Sequence, residues 1–278
     1  MLSIFIMFSN DRQEALNYTI ACLKNMDGYK DCQKTLIIDG FAKSIPEDCQ
    51  IVQVPRINGK FCWAKMWDAG VFSSIHEKII YLDSDRLLPT NYLSLVDQYL
   101  DDDIFMFTSK HFMMVEKLPL ELCQEILKIE DIGEILSRND IIGKLRYEPR
   151  SGEIIHGPGK NVMSGSTAFT KKTYMKLGGV DHWYCGHGAY ADTDFQMQAC
   201  NSCLFVDTKL TELHYFHTKI ENDKILDVDE LKLLSLNNFI YYCYKWNVPH
   251  IIAENLAINS NISRQYVKDK FKEFSMVS

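Results

Sequence analysis

The sequence has no long apolar run, few prolines and no excess of basic residues. Only 7 of its 278 residues are proline, and no low-complexity linker is present, so the composition is neither fibrous nor disordered. No apolar run approaches the length of about 20 residues that a membrane-spanning helix needs, so we predict no transmembrane segment and leave peripheral membrane contact open. The first residues show no basic region and no cleavage site, so we expect a soluble, cytoplasmic protein.

The charge balance is acidic. The chain has 37 acidic and 30 basic residues, a formal net charge of −7 at pH 7, and no block of Lys and Arg. Sequence-independent binding to nucleic acid phosphates is therefore excluded, and we predict no nucleic acid partner. An anionic substrate requires a metal ion or a few local cations in this chain.

The cysteines do not form a recognisable framework. There are nine, an odd number scattered through regular segments, which is typical of reduced thiols. Cys200 and Cys203 form one Cys-x-x-Cys pair, but a zinc site needs two further ligands and a redox motif needs a thioredoxin-like context. We interpret both as ordinary helix residues.

Strand and helix patterns alternate along the chain, which is typical of an α/β fold with a mostly parallel sheet covered by helices. In the order β-α-β-β-α-β, we predict a strand over 2–8, a helix over 11–23, strands over 35–38 and 50–54, a helix over 61–72 and a strand over 79–82. We also predict strands over 103–109 and 161–170, helical and loop segments between 119 and 160, and amphipathic helices over 229–246 and 263–274.

The strand over 79–82 ends in two carboxylates one residue apart, Asp83 and Asp85. In an open α/β sheet the carboxyl end of a buried strand reaches the ligand crevice, and carboxylate oxygens are the ligands that a divalent cation carrying a diphosphate requires. The pattern therefore indicates a nucleotide-sugar site. A polar turn is the alternative, because Asp and Ser are common turn residues.

A second group of residues lies further along the chain. It contains two glycines that permit close backbone approach, two carboxylates that open a helix, and a His-x-x-His pair. Its members are Gly178, Gly179, Asp192, Asp194, His214 and His217. A capped helix start explains either carboxylate alone, but the combination with the acidic triplet Asp83-Ser84-Asp85 favours a functional site.

Four segments, in this order, resemble glycosyltransferases of the GT-A fold, and most closely the β-1,4-galactosyltransferase and N-acetylgalactosaminyltransferase-like group. They are Ser9–Glu14 with its Arg-Gln-Glu run, Ala64–Gly70, the Asp-x-Asp-x-x-x-Pro of Asp83–Pro89, and the block Ser164–Asp194. The set covers about residues 2–217. We accordingly predict a Rossmann-like GT-A domain over 1–220, with a nucleotide-binding part (1–110) and an acceptor-binding part (111–220), and a helical C-terminal region (221–278) packed on it.

The chain departs from that family in the last block. The family has Gly-Trp-Gly-Gly-Glu-Asp where this chain has Gly-His-Gly-Ala-Tyr-Ala-Asp over 186–192, so His187 replaces the Trp and Ala191 replaces the Glu. Gln198 stands where the family has Arg. The identity of the donor sugar and of the acceptor is therefore not carried over from the family.

The resemblance implies a metal-dependent, inverting sugar transfer. The departing diphosphate must be neutralised by a Lewis acid, and Mn²⁺, with Mg²⁺ as the other choice, suits a shell of carboxylate, imidazole and phosphate. Asp85 and His217 are the first-choice metal ligands. Asp83 is placed to contact the metal or the ribose, and His214 is the alternative histidine.

An inverting transfer also needs a base that accepts the proton of the acceptor hydroxyl. We predict Asp192 as this base and Asp194 as the reserve. Tyr184 and His187 are the predicted acceptor-binding residues. The acceptor is expected to be a glycan or another hydroxyl compound.

The donor is expected to be a UDP-sugar. Arg12 and Asp39, each just beyond a strand end, are candidates for the phosphate or the uracil, and a solvated loop charge is an equally good interpretation of each. Lys65 is a weaker candidate for the same pocket.

The glycine-rich segment over 151–166 has two interpretations. It contains Gly165, a predicted donor-binding residue. It could close over the donor and exclude water, or it could be a passive connection.

Three other classes share parts of the pattern. A haloacid-dehalogenase-like phosphatase also has Asp-x-Asp after a strand, but it usually has Thr or Val two residues further on. This chain has Leu87 there, which disfavours that class. A sugar nucleotidyltransferase needs a Gly-rich phosphate loop soon after its first strand, and none is present. A noncatalytic nucleotide-sugar or glycan-binding module of the same fold stays open, because Ala191 and His187 depart from the transferase pattern.

Overall fold

The computed structural model describes residues 1–8, 12–40, 44–56, 62–150, 166–184, 190–216 and 228–277. The strands are β1 (Leu2–Phe8), β2 (Gln33–Ile38), β3 (Gln50–Gln53), β4 (Lys78–Asp83), β5 (Arg86–Leu87), β6 (Ile104–Phe107), β7 (Lys110–Met114), β8 (Leu145–Tyr147), β9 (Ser166–Thr170), β10 (Leu204–Asp207) and β11 (Thr211–His214). The helices are α1 (Gln13–Lys24), α2 (Trp63–Ser73), α3 (Tyr92–Tyr99), α4 (Leu120–Ile126), α5 (Ile132–Ser137), α6 (Lys171–Lys176), α7 (Ala191–Ser202), α8 (Val228–Lys245), α9 (His250–Asn259) and α10 (Arg264–Val277).

The central sheet has the strand order β10-β6-β9-β4-β1-β2-β3. Neighbouring strands are parallel except around β9, which runs antiparallel to both β4 and β6. The predicted α/β fold with a mostly parallel central sheet is therefore confirmed. The predicted β-α-β-β-α-β order up to β4 is also confirmed, with element ends that agree within two residues.

A second, smaller sheet has the order β5-β11-β7-β8. β11 runs antiparallel to the two-residue β5 and parallel to β7, so that His214 lies opposite Arg86 and Glu212 lies opposite His111. The strand predicted over 103–109 is confirmed by β6, whereas β7 of the smaller sheet, which follows it after two residues, was not predicted. The smaller sheet thus places β11, which carries His214, beside the two residues that directly follow Asp85.

Aromatic packing fixes α2 against the central sheet. The ring of Trp67 lies 4.3 Å from that of Tyr81 on β4 and 5.6 Å from that of Phe169 on β9, measured between centroids. Residue 70 must be small, because a Cβ atom there would lie 2.4 Å from the ring of Phe5 on β1. These contacts hold β1 and β4 in place, and the candidate site lies at their carboxyl ends.

The C-terminal helices pack on the core. Leu236, Phe239, Ile240 and Tyr242 of α8 are buried in the same apolar cluster as Trp67. The helices predicted over 229–246 and 263–274 are confirmed by α8 and α10, whereas α9 was not predicted. The boundary predicted near residue 220 stays a prediction. Among the helices that the structure describes, none is long and apolar enough to cross a membrane.

Candidate functional site

The acidic triplet is a fixed and buried part of the fold. Asp83 is the last residue of β4, and Asp85 follows directly before β5. The N–H of Ser84 donates to the carbonyl of Met7 (3.1 Å), and the carbonyl of Ser84 accepts a hydrogen bond from the Thr19 hydroxyl (3.0 Å). The triplet is therefore anchored to β1 and to α1, and the Asp85 residue is only 1% exposed.

Two arginines pair with the carboxylates. Arg12 Nη1 donates to Asp85 Oδ2 over 2.5 Å. On the other side, Arg86 Nε lies 3.3 Å from Asp85 Oδ1, and Arg86 Nη2 lies 3.5 Å from Asp83 Oδ2. The Tyr81 hydroxyl also donates to Asp83. The sequence prediction placed Arg12 in the donor pocket, and the structure places it directly against Asp85.

His214 reaches the triplet through strand pairing. Its Nε2 atom lies 3.3 Å from Asp85 Oδ2. The N–H of Tyr215, the next residue, donates to the carbonyl of Asp85 over 2.8 Å, which continues the pairing of β11 with β5. Of the two predicted histidines, His214 is thus beside the carboxylates. His217, the first choice, lies outside the described residues.

A buried cluster of charged residues lies behind the triplet, and the sequence analysis missed it. Arg86 Nη1 donates to Glu212 Oε1 over 3.2 Å and to His111 Nε2 over 2.6 Å. Ser166 on β9 donates its hydroxyl to the other oxygen of Glu212, and Arg150 Nη2 lies 3.4 Å from His111 Nδ1. One signal for this cluster was available, because Glu212 and His214 are two residues apart and thus share one face of a strand.

The surroundings shift the protonation of this cluster. Burial raises the pKa of Asp83 to about 6, and repulsion from Asp85 adds to the shift. Burial likewise raises the pKa of Glu212 to about 7, although Arg86 opposes the shift. Burial and the guanidiniums of Arg86 and Arg150 lower the pKa of His111 far below 6.5, so that its ring is neutral. A cation bound near Asp83 and Glu212 would lower the pKa of both side chains and so favour their ionised forms.

The residue types suit a divalent cation. Asp83 and Asp85 supply carboxylate oxygens and His214 supplies an imidazole nitrogen, a set of ligands that fits Mn²⁺. Across the described part of the chain, no group of three or more His, Cys, Asp or Glu side chains is arranged to hold a metal ion as it stands. Arg12 lies against the oxygen of Asp85 that also faces His214.

Asp192, the predicted base, lies in the first turn of α7. Its Oδ1 accepts the N–H of Thr193 over 2.8 Å, and Tyr190 at the helix start has a positive φ of 74°. Burial raises the pKa of Asp192, although the Arg150 guanidinium opposes the shift. The Asp192 charge in turn adds to the raised pKa of the Tyr81 hydroxyl, after burial and Asp83. Asp192 therefore acts electrostatically on Tyr81 of β4, whose hydroxyl donates to Asp83.

Asp194, the reserve base, is fully buried between α7 and α8. Its two oxygens accept hydrogen bonds from Trp246 Nε1 (2.7 Å), Lys245 Nζ (2.8 Å) and Gln198 Nε2 (3.0 Å). The hydroxyl of Tyr184 also donates to it, over 3.3 Å. Asp194 and Tyr184, a predicted acceptor-binding residue, thus belong to the packing beneath α8.

The remaining predicted residues are dispersed. Asp39, directly after β2, accepts a hydrogen bond from Arg56 Nε over 2.8 Å, and Arg56 Nη2 lies 2.8 Å from the same oxygen. Lys65 is exposed on α2. Gly165 and His187 lie outside the described residues, as does the proposed lid segment up to residue 165.

Comparison with known proteins identifies the fold. No family model matches the sequence, and a search of curated proteins gives no match. Solved structures do match. GalNAc-T7 with UDP, GalNAc and Mn²⁺ aligns with a TM-score of 0.55 and 13% identity over 97% of this chain. This chain spans 56% of that protein's length.

Two further structures align over a larger share of their own chains. The fragment 1–349 of TarS from S. aureus, in complex with UDP-GlcNAc, has a TM-score of 0.52 and 12% identity, covering 95% of this chain and 74% of that fragment. The mannosyltransferase PcManGT from Pyrobaculum calidifontis, in complex with GDP-Man and Mn²⁺, has a TM-score of 0.50 and 10% identity, covering 98% of this chain and 73% of its own. The fold is therefore GT-A. Membership in the galactosyltransferase-like group stays a prediction.

Proposed function

We propose that this chain is a metal-dependent glycosyltransferase that moves a sugar from a nucleotide-sugar, a UDP-sugar in the first place, to a hydroxyl of a glycan or another acceptor. The observation that carries the proposal is the convergence of Asp83, Asp85 and His214 at the carboxyl end of β4. The charge of Asp192 acts on Tyr81 of the same strand. The GT-A fold is consistent with this function, although a fold alone does not determine an activity.

Asp85 and His214 would hold the metal ion, with Asp83 beside them. His217 stays a further candidate ligand. A bound Mn²⁺ ion would supply Lewis acidity that neutralises the departing diphosphate. The oxygen and nitrogen ligands present support this choice of metal.

Asp192 would act as the base of an inverting transfer. It would accept the proton of the acceptor hydroxyl while that oxygen forms a bond to the anomeric carbon and the bond from this carbon to the diphosphate breaks. The nucleoside diphosphate then leaves with the bonding electrons. The raised pKa of Asp192 supports the assignment, because a carboxylate held above its ordinary pKa is a stronger proton acceptor.

The other predicted contacts belong to the same proposal. Arg12 and Asp39 would bind the nucleotide, with Lys65 and Gly165 as further candidates. His187 would bind the acceptor, and Tyr184, whose hydroxyl donates to Asp194, would support the helix that carries Asp192. We also propose a cytoplasmic location.

Release of nucleoside diphosphate from a panel of UDP- and GDP-sugars, with and without Mn²⁺, tests this function. We expect metal-dependent release from one donor, and loss of that release in Asp85→Asn. Asp140→Asn is the matched control, since Asp140 also pairs with an arginine, Arg138, but at an exposed position. Metal-dependent nucleotide binding without turnover on any acceptor would instead favour the noncatalytic binding module. No binding at all would refute both functions.

A further inference from the structure

We propose that Arg12 occupies the metal-binding oxygen of Asp85 until the nucleotide arrives, so that the metal ion and the diphosphate bind together rather than one after the other. The inference rests on the function proposed above and adds to it a regulation of the same site. Arg12 would release Asp85 to the cation and would pair with the diphosphate instead.

The contact geometry is the first argument. Arg12 Nη1 donates to Asp85 Oδ2 over 2.5 Å, and the same oxygen lies 3.3 Å from His214 Nε2. A cation held by Asp85 and His214 would use this oxygen, because it is the Asp85 oxygen that lies near His214. The guanidinium and the cation therefore compete for one position.

The two arginines at Asp85 differ in their ability to move. The Arg86 side chain is 5% exposed and is held by Glu212 and His111. The Arg12 side chain is 30% exposed, against 1% for the Asp85 side chain, so Arg12 covers Asp85 on the open side. The carbonyl of Arg12 accepts the N–H of Leu16 over 2.9 Å, which anchors its backbone to α1. Arg12 is therefore the one of the two arginines whose side chain we expect to leave Asp85, while Arg86 stays beside Asp85 Oδ1.

The charge balance is the second argument. Three carboxylates, of Asp83, Asp85 and Glu212, face three guanidiniums in this cluster. The guanidiniums belong to Arg12, Arg86 and Arg150. A divalent cation that enters alone leaves a positive excess in a buried place, which is unfavourable. A cation that enters with a diphosphate leaves the balance unchanged, because the two ligands cancel each other and Arg12 finds a new anion. Arg12 thus makes the affinity for the cation depend on whether the diphosphate is bound. By thermodynamic linkage, the cation then strengthens diphosphate binding by the same factor as the diphosphate strengthens cation binding.

Titration of the protein with Mn²⁺, followed through the electron paramagnetic resonance signal of the free ion, tests the inference without any turnover. Each titration is done without nucleotide and then with saturating UDP. For the native chain we expect weak binding of Mn²⁺ alone and much tighter binding with UDP. For Arg12→Met we expect Mn²⁺ alone to bind about tenfold more tightly, because one charged hydrogen bond no longer competes, and we expect UDP to add less.

Two control variants complete the design. Arg138→Met removes an arginine from an exposed pair of carboxylates, Asp140 and Glu125, and is expected to leave both titrations unchanged. Arg12→Lys keeps a positive charge and is expected to lie between the native chain and Arg12→Met. If Arg12→Met does not fold, the comparison of Arg12→Lys with the native chain decides.

The outcomes separate this inference from the proposed function. In one outcome, the native protein binds Mn²⁺ with UDP, but Arg12→Met binds Mn²⁺ alone no more tightly than the native chain does. This result overturns the inference and leaves the proposed function intact. Tight binding of Mn²⁺ alone to the native chain overturns it as well. Native protein that binds no Mn²⁺ even with UDP overturns the proposed function and the inference together.

Discussion

The ammonium group of Lys245, at the end of α8, lies 2.8 Å from the carboxylate of Asp194 on α7. Asp192 is only two residues away on the same helix turn. The same ammonium group also lies 2.8 Å from Asp181. The C-terminal helices are thus connected by an ion pair to the helix that carries the candidate base, and this contact can be tested separately from the chemistry.

Asp194→Asn is expected to destabilise the protein by about 3 kcal/mol, because it weakens a buried ion pair and leaves Lys245 near a neutral group. Asp181→Asn is the matched control. Asp181 binds the same ammonium group but is only half-buried, so we expect a loss of about 1 kcal/mol. Chemical denaturation measures both free energies of unfolding. Equal losses would show that Asp194 has no special structural role.

Asp192→Asn is expected to lower the rate of sugar transfer by about 10²- to 10⁴-fold, the usual contribution of a general base. Nucleotide binding should be retained, because asparagine keeps the side-chain oxygen that accepts the Thr193 N–H. Single-turnover kinetics and calorimetry with UDP and Mn²⁺ make the comparison. A variant with normal turnover would transfer the role of base to another residue.

Arg86 and Glu212 are expected to be energetically coupled. Arg86→Met should destabilise the chain by about 3 to 5 kcal/mol, because it leaves buried carboxylates without their partner. The double variant with Glu212→Gln should lose at least about 1 kcal/mol less than the sum of the two single changes. A double-mutant cycle of unfolding free energies measures this coupling. Simple additivity would mean that the two side chains do not depend on each other.

The hydrogen bonds that Ser109, just before β7, donates to Asp207 of β10 are expected to weaken in acid. Burial alone would raise the pKa of Asp207, but hydrogen bonds from Lys209 and Ser109 outweigh it and lower the pKa below 3.8. A carboxyl group with a lowered folded-state pKa contributes stability above its unfolded pKa, and this contribution disappears as the pH falls through the folded value. Asp207→Asn should therefore be less stable than the native chain near neutral pH, and the difference should shrink well below pH 3.8. Urea unfolding at both pH values checks the sign.

Local patterns predicted the strand that carries Asp83 and the helix that begins beside Asp192, because hydrophobic periodicity and helix-start residues are local properties. They ranked His217 before His214 as a metal ligand. The contact of His214 with Asp85 depends on the pairing of β11 with β5, and a two-residue strand has no periodicity to detect. The arginine contacts of Asp85 were missed for the same reason, since Arg12 is far from Asp85 in sequence and becomes its neighbour only through the sheet.

Arg86 and Glu212 are 126 positions apart in sequence and are buried as one pair. A relative that lost only one of them would retain an unpaired buried charge, so evolution should replace the two together. Joint variation at these two positions would then mark the β5–β11 pairing in sequences for which no structure exists. It would separate chains that keep this arrangement from chains that share only the acidic triplet.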